Sequence, residues 1–250
     1  MKEVDAGMRM RYFQKGFNFA QDGPGNRLVY HLQGCNMRCA WCSNPEGIGG
    51  VSKSCREEPV EAIAQAILAA RAMFFEGGGL TLTGGEPTLQ FEAVRALLSA
   101  VRREGIHTAI ETNATHPALP ALVPYIDLLI ADLKHPDDER HRLFTGVSNE
   151  QVIQNIGDIA RSGARMLVRI PLIHGVNDDD ASFDGFFRLL RGFAGAPWLQ
   201  VEVLRYHEYG KDKWAAHGMR YAMRHAFVER ARVEQLEAGI RALPIEVVRT

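Results

Sequence analysis

Short apolar or β-branched runs alternate with longer stretches of helical periodicity along this chain of 250 residues. The runs at 27–33, 79–83, 108–111, 128–133, 166–171 and 200–205 predict strands, since Leu80, Ile110 and Val168 sit among apolar or β-branched neighbours. Between them the spacing predicts helices over 58–75, 91–104, 151–161 and 182–193, with a weak one at 116–123. A longer amphipathic helix over 227–243 and a strand at 245–249 complete the pattern. Strands separated by helical patterns of roughly ten residues or more read as βαβ units of a parallel sheet. Six units predict an α/β fold, a partial (β/α)6 TIM-like barrel, in a single domain over 1–250. An extension at 1–21 would precede it, and a terminal helix and strand at 226–250 would close it. The glycine-rich spots at 47–50 and 77–79 read as turns within it.

Polar clusters follow these strands on one side only. A cysteine-rich loop comes after the first, Thr83-Gly84-Gly85-Glu86-Pro87 after the second, and Glu111-Thr112-Asn113 ends the third. The fourth ends in Asp132-Leu133-Lys134-His135, the fifth in Arg169-Ile170-Pro171, and the sixth in Tyr206-His207. Barrels and open α/β sheets gather their active sites at the C-terminal ends of strands, so all six clusters can serve one site. The paired glycines would let backbone approach a ligand. Glu111 and Asp132 can hold a cation or an ammonium group, and Lys134 can serve a carboxylate.

The loop itself reads Gly34-Cys35-Asn36-Met37-Arg38-Cys39-Ala40-Trp41-Cys42-Ser43-Asn44. Three cysteines within eight residues form a soft-metal site, and a set one short of four leaves a coordination position for something else. Completion by Cys55 or a histidine would instead give structural zinc. Trp41, between two of the ligands, would shield the metal from water.

Composition narrows the partners. Lys plus Arg total 29 against 30 Asp plus Glu, so no overall field favours nucleic acid. The first six residues lack the apolar core of a signal peptide, and no apolar run is long enough to span a membrane. Four cysteines, three of them clustered, suit thiols used as ligands in a reducing compartment, so a cytoplasmic monomer is expected.

These residues resemble the radical S-adenosylmethionine (SAM) enzymes, and within them the activating enzymes of glycyl radical enzymes. The resemblance runs from Asp22-Gly23-Pro24-Gly25-Asn26-Arg27 and the cysteine loop through Asn44-Pro45-Glu46 and each strand-end cluster to Tyr206-His207, Gly210 and Lys213-Trp214. It implies one 4Fe-4S cluster on Cys35, Cys39 and Cys42, with the remaining iron binding the amino and carboxylate groups of SAM. An electron from a flavodoxin or ferredoxin would then split SAM to a 5′-deoxyadenosyl radical. By the same resemblance Gly84, Gly85 and Glu86 hold the methionine end of SAM, and Asn44 joins the cofactor-binding set. Glu111, Thr112, Asp132, Lys134 and His207 contact SAM or a monovalent cation held by Glu111, Thr112 and Asp132. Asp22, Gly23 and Gly25 lie near the mouth where substrate enters. That substrate is a glycine of a partner glycyl radical enzyme, which loses its α-hydrogen. Cys55 is the only cysteine after the loop, which suits the short type with no ferredoxin-like insert. The chain departs from the pattern at His31, Ala114 and Arg205, where an aromatic residue, a glycine and a proline are usual. Two other readings stay open: a radical SAM enzyme acting on a small molecule or peptide, and a zinc-stabilised α/β binding protein.

Overall fold

The computed structural model describes residues 7–250, so the reading of the first six residues lies outside the described residues. Nine strands form one sheet: β1 (Arg9–Phe19), β2 (Asn26–Leu32), β3 (Arg56–Pro59), β4 (Gly79–Gly84), β5 (His107–Thr112), β6 (Leu128–Asp132), β7 (Met166–Leu172), β8 (Leu199–Arg205) and β9 (Glu246–Val248). Their order is β3-β1-β2-β4-β5-β6-β7-β8-β9. From β2 onward every neighbouring pair is parallel, whereas β1 runs antiparallel to β2 and β3 antiparallel to β1. The sheet is therefore the expected α/β arrangement of six parallel strands, widened at both edges.

Seven α-helices accompany the sheet: α1 (Val60–Ala69), α2 (Phe91–Arg103), α3 (Asp138–Thr145), α4 (Glu150–Arg161), α5 (Asp180–Phe193), α6 (Lys211–Ala216) and α7 (Arg230–Arg241). Leu80, Leu82, Ile110 and Val168 are fully buried and share one core with Leu97 of α2, Ile156 of α4 and Phe186 of α5. Strands covered on both faces lose alternation and read as continuous apolar runs, which is why these were legible. No helix among the described residues is long and apolar enough to cross a membrane.

Three expectations need correction. The extension at 1–21 contains β1, second from the edge between β3 and β2, whose charged exposed positions hide its alternation. The predicted helix at 58–75 is shorter: residues 56–59 form β3, since proline at 59 keeps its predecessor extended, and only Val60–Ala69 is α-helical. The stretch at 116–123 is a 3-10 turn over Leu119–Tyr125, because Pro120 and Pro124 remove the amide hydrogens an α-helix needs. Among elements not foreseen, α3 is a polar octapeptide capped by the Asp137 carboxylate and ended by left-handed Gly146.

Candidate active site

A cavity of about 320 Å³ opens at the C-terminal ends of the parallel strands. Cys35, Cys39, Cys42 and Asn44 line one side, Gly84 and Gly85 sit at the end of β4, and Glu111 and Thr112 at the end of β5. Asp132, Lys134, Arg169, His207 and Asp22 add to its polar lining. The fold thus brings together almost every candidate residue, from segments far apart in sequence.

The cysteine loop is seated on α3. The amides of Arg38 and Ala40 donate to the Thr145 and Phe144 carbonyls at 2.7 and 3.1 Å, satisfying two acceptors that a helix C-terminus leaves free. Trp41 is buried and packs on Phe144 at 6.3 Å between ring centres. On the opposite side the loop meets Gly84 and Gly85, and neither glycine has room for a side chain. Gly84 has φ +114°, and a Cβ at Gly85 would stand 2.0 Å from the Gly34 carbonyl oxygen. The amides of Gly85 and Glu86 donate to Leu32 O at 2.9 Å and Gly34 O at 2.7 Å, so what this turn can offer a ligand is carbonyl oxygen.

Burial pushes the Cys35 and Cys42 thiols up to about 12 and raises Cys39 as well. The three stay protonated at neutral pH until a metal replaces the hydrogens. None is in a disulfide. Cys55 lies off the cavity, in the turn before β3, where its sulfur faces the Arg56 carbonyl at 3.7 Å. Among the described residues no three His, Cys, Asp or Glu side chains converge as they would around a single ion. A four-cysteine zinc site is therefore not assembled, whereas three thiols on one cavity wall with no fourth fit a polynuclear cluster held at three corners.

Lys134 Nζ donates to Asp132 Oδ2 at 2.6 Å behind the cysteines. Burial alone would lower this ammonium, but the Asp132 carboxylate beside it offsets that and holds it charged. Arg169, 4% exposed, forms the floor: Nε donates to Glu202 at 2.9 Å, and its two amino groups donate to Glu111 Oε1 and the Gln21 carbonyl at 2.5 Å each. Glu111 also accepts from Thr83 Oγ1 at 3.0 Å. Burial lowers His207, leaving a neutral imidazole at physiological pH that stacks on Tyr209 at 4.2 Å.

Two assignments change. Glu86 is fully buried and turned away from the cavity. Its Oε1 accepts from Thr88 N, Thr88 Oγ1 and Thr112 Oγ1 at 3.0, 2.5 and 2.7 Å, and its Oε2 from Asn113 N at 2.7 Å. Its side chain splices the end of β4 to the end of β5, with both oxygens engaged by protein donors. Gly23 and Gly25 lie before β2, at the opposite end of the barrel from the mouth. A Cβ at Gly25 would stand 2.3 Å from the Phe75 carbonyl oxygen, so this turn exists to pack on the loop before β4. Only Asp22 of that motif reaches the cavity, held by the Asn18 amide. Arg169 and Glu202 were not assigned, although their shared inward parity on adjacent strands was a usable signal.

A parallel α/β barrel with three unpaired cysteines at its mouth defines the class, and the chain belongs to it: a family model of the Radical SAM superfamily matches residues 29–184. More particularly, its relatives are activating enzymes of glycyl radical enzymes, and the chain is a radical SAM enzyme of that kind. Pyruvate formate-lyase 1-activating enzyme of Escherichia coli is 35% identical over 210 residues, covering 81% of this chain and 82% of that one. (2S)-3-sulfopropanediol dehydratase activating enzyme of Klebsiella oxytoca is 31% identical over 271 positions, covering 84% of this chain and 86% of that one. That alignment is longer than this whole chain, so the relative carries inserted residues absent here. A solved domain of a pyruvate-formate lyase-activating enzyme from Bacteroides vulgatus superposes with a TM-score of 0.55 at 26% identity, covering 68% of this chain and 98% of that one.

Proposed function

We propose that this chain generates a radical on a glycine of a partner glycyl radical enzyme by taking its α-hydrogen. The observation that carries the reading is the sharing of one cavity by three free cysteines and the strand-end polar groups. Cys35, Cys39 and Cys42 would hold one 4Fe-4S cluster. Bound there with SAM, it supplies the one-electron cleavage and the hydrogen-abstracting radical that such chemistry requires.

The chain's own residues orient and enclose. Carbonyl oxygens of the Gly84 and Gly85 turn suit the amino group of SAM, since the adjacent amides are already spent. Lys134, kept charged by Asp132, suits its carboxylate, and the neutral His207 ring suits the nucleoside. Asn44 would lie beside the ligand, as a neighbour of Cys42. Glu111, Thr112 and Asp132 would leave room for a monovalent cation, with Glu111 shared with Arg169. Asp22, on the floor, would meet the substrate segment. A flavodoxin or ferredoxin would donate the electron, in a reducing cytoplasm that keeps the thiols free.

Electron paramagnetic resonance of the reduced, reconstituted protein mixed with a candidate glycyl radical enzyme tests this. A persistent glycyl signal that requires SAM and disappears with Cys39→Ala is expected. Formation of 5′-deoxyadenosine without that signal for any glycyl radical enzyme of the host would move the substrate to a small molecule or peptide. Stoichiometric zinc without sulfide would remove the cluster altogether.

A further inference from the structure

Between His207 and the end of α6 the chain lies flush on the far limb of the cysteine loop. Gly210 leaves no space: a Cβ there would stand 2.5 Å from Ser43 Cα and 2.7 Å from the Cys42 carbonyl oxygen. Trp214, 8% exposed, donates from Nε1 to the same carbonyl at 2.9 Å. Lys213 Nζ pairs with Glu46 Oε1 at 3.0 Å and donates to Asn44 Oδ1 at 3.3 Å. The other Glu46 oxygen is buried without a partner, so Lys213 is the one cation paired with that carboxylate among the described residues.

The contacts continue back to the cavity. The Trp214 indole meets Tyr221 edge-on at 5.5 Å, and the Tyr221 hydroxyl lies 2.7 Å from that of Tyr206, the residue before His207. The cysteine loop is thus clamped on two sides. One limb is seated on α3 through Arg38 and Ala40, and the limb from Cys42 to Glu46 rests on a strap that also carries His207.

We propose that this strap works as a spacer, with Trp214 and Lys213 as positioning residues. They fix the Cys42 limb and, with it, the separation between the third cysteine sulfur and the His207 imidazole. The proposal rests on the activase reading for the ligand that spans this gap, SAM, with its methionine end at the cysteines and its nucleoside end at His207. Four contacts of three kinds, a steric fit, two hydrogen bonds and an ion pair, fall on Cys42, Ser43, Asn44 and Glu46. A loop already anchored by α3 does not need them to stay folded. A ligand gripped at both ends does need a fixed gap, since small misplacement of a binding group is costly.

Full-length Trp214→Phe, Lys213→Met and Lys213→Arg proteins test this. Before reconstitution, amide hydrogen exchange across 42–48 should quicken about tenfold in Trp214→Phe and Lys213→Met, as expected for loss of one buried bond, and stay at the parent rate in Lys213→Arg. After anaerobic reconstitution, Trp214→Phe and Lys213→Met should keep the parent's iron and sulfide and its reduced-cluster spectrum without SAM. They should bind SAM about fivefold to tenfold more weakly and give altered g-values once it is bound. Parent-like exchange together with parent-like SAM affinity overturns the proposal. Loss of iron also overturns it, because the strap would then hold the cluster and not the spacing. A parent protein that takes up a cluster yet binds no SAM overturns the activase reading instead, and the exchange comparison then decides alone whether the strap clamps the loop.

Discussion

Replacing Glu86 by glutamine is expected to lower stability and spare SAM recognition. Burial pushes this carboxyl up, while a backbone amide donates to each oxygen, Thr88 N to one and Asn113 N to the other, which favours the carboxylate form. Glutamine keeps an acceptor for the two threonines but turns an amide NH2 against the Asn113 N–H. An orphaned buried donor costs about 1–3 kcal/mol, and the remaining bonds fall from the charged to the neutral range, so a loss of about 3 kcal/mol is expected. For a chain of this size each kcal/mol moves Tm by about 2–4 °C, which gives a drop of roughly 6–12 °C. The assay is thermal unfolding of the full-length protein without its cluster, followed by circular dichroism, with the SAM Kd measured on reconstituted protein well below Tm. An unchanged Tm with SAM binding abolished would refute the brace and return Glu86 to the ligand.

Gly85→Ala should prevent cluster assembly while leaving most secondary structure, because its Cβ must displace the Gly34 carbonyl from 2.0 Å; iron and sulfide analysis reads the result. Ala114→Gly should change stability by less than about 1 kcal/mol in urea unfolding: release from φ +58° gains about 1 kcal/mol and the lost buried methyl costs about 0.8 kcal/mol. Burial lowers His31, so the folded chain holds it neutral while the unfolded chain can protonate it. Its contribution is fully present above the ordinary histidine value of 6.5 and is lost as pH falls below it, so His31→Phe should narrow the gap between urea midpoints at pH 7.5 and 5.5.

The six parallel strands were legible because burial on both faces removes polar residues from them, and the site was legible because, Asp22 apart, its side chains leave from the same strand ends. What escaped was set by contacts distant in sequence. β1 is second from the edge, covered on its outer side by the short β3 only over residues 9–12, and Arg9, Arg11 and Lys15 at its exposed positions mask it. Glu86 reads as a ligand by motif, and only the approach of Thr112 and Asn113 shows that its oxygens are engaged within the protein. Gly23 and Gly25 likewise read as part of the mouth until the packing of Phe75 places them at the other end. The strap of Gly210, Lys213 and Trp214 has no periodic signature at all.

The seat of the cysteine loop on α3 bears on electron affinity. Amides that point at cluster sulfurs stabilise the reduced, more negative state, and hydrogen bonds of this kind are among the levers that set reduction potential. Here the Arg38 and Ala40 amides are committed to the carbonyls of a helix C-terminus, which is itself the negative end of its dipole. The Met37 amide, 3.4 Å from Cys35 Sγ, and the Asn44 amide at the Cys42 sulfur are left facing sulfur. With the Arg38 and Ala40 amides withheld, a cluster on these cysteines would be harder to reduce and, once reduced, a stronger donor, which is what splitting a sulfonium would demand.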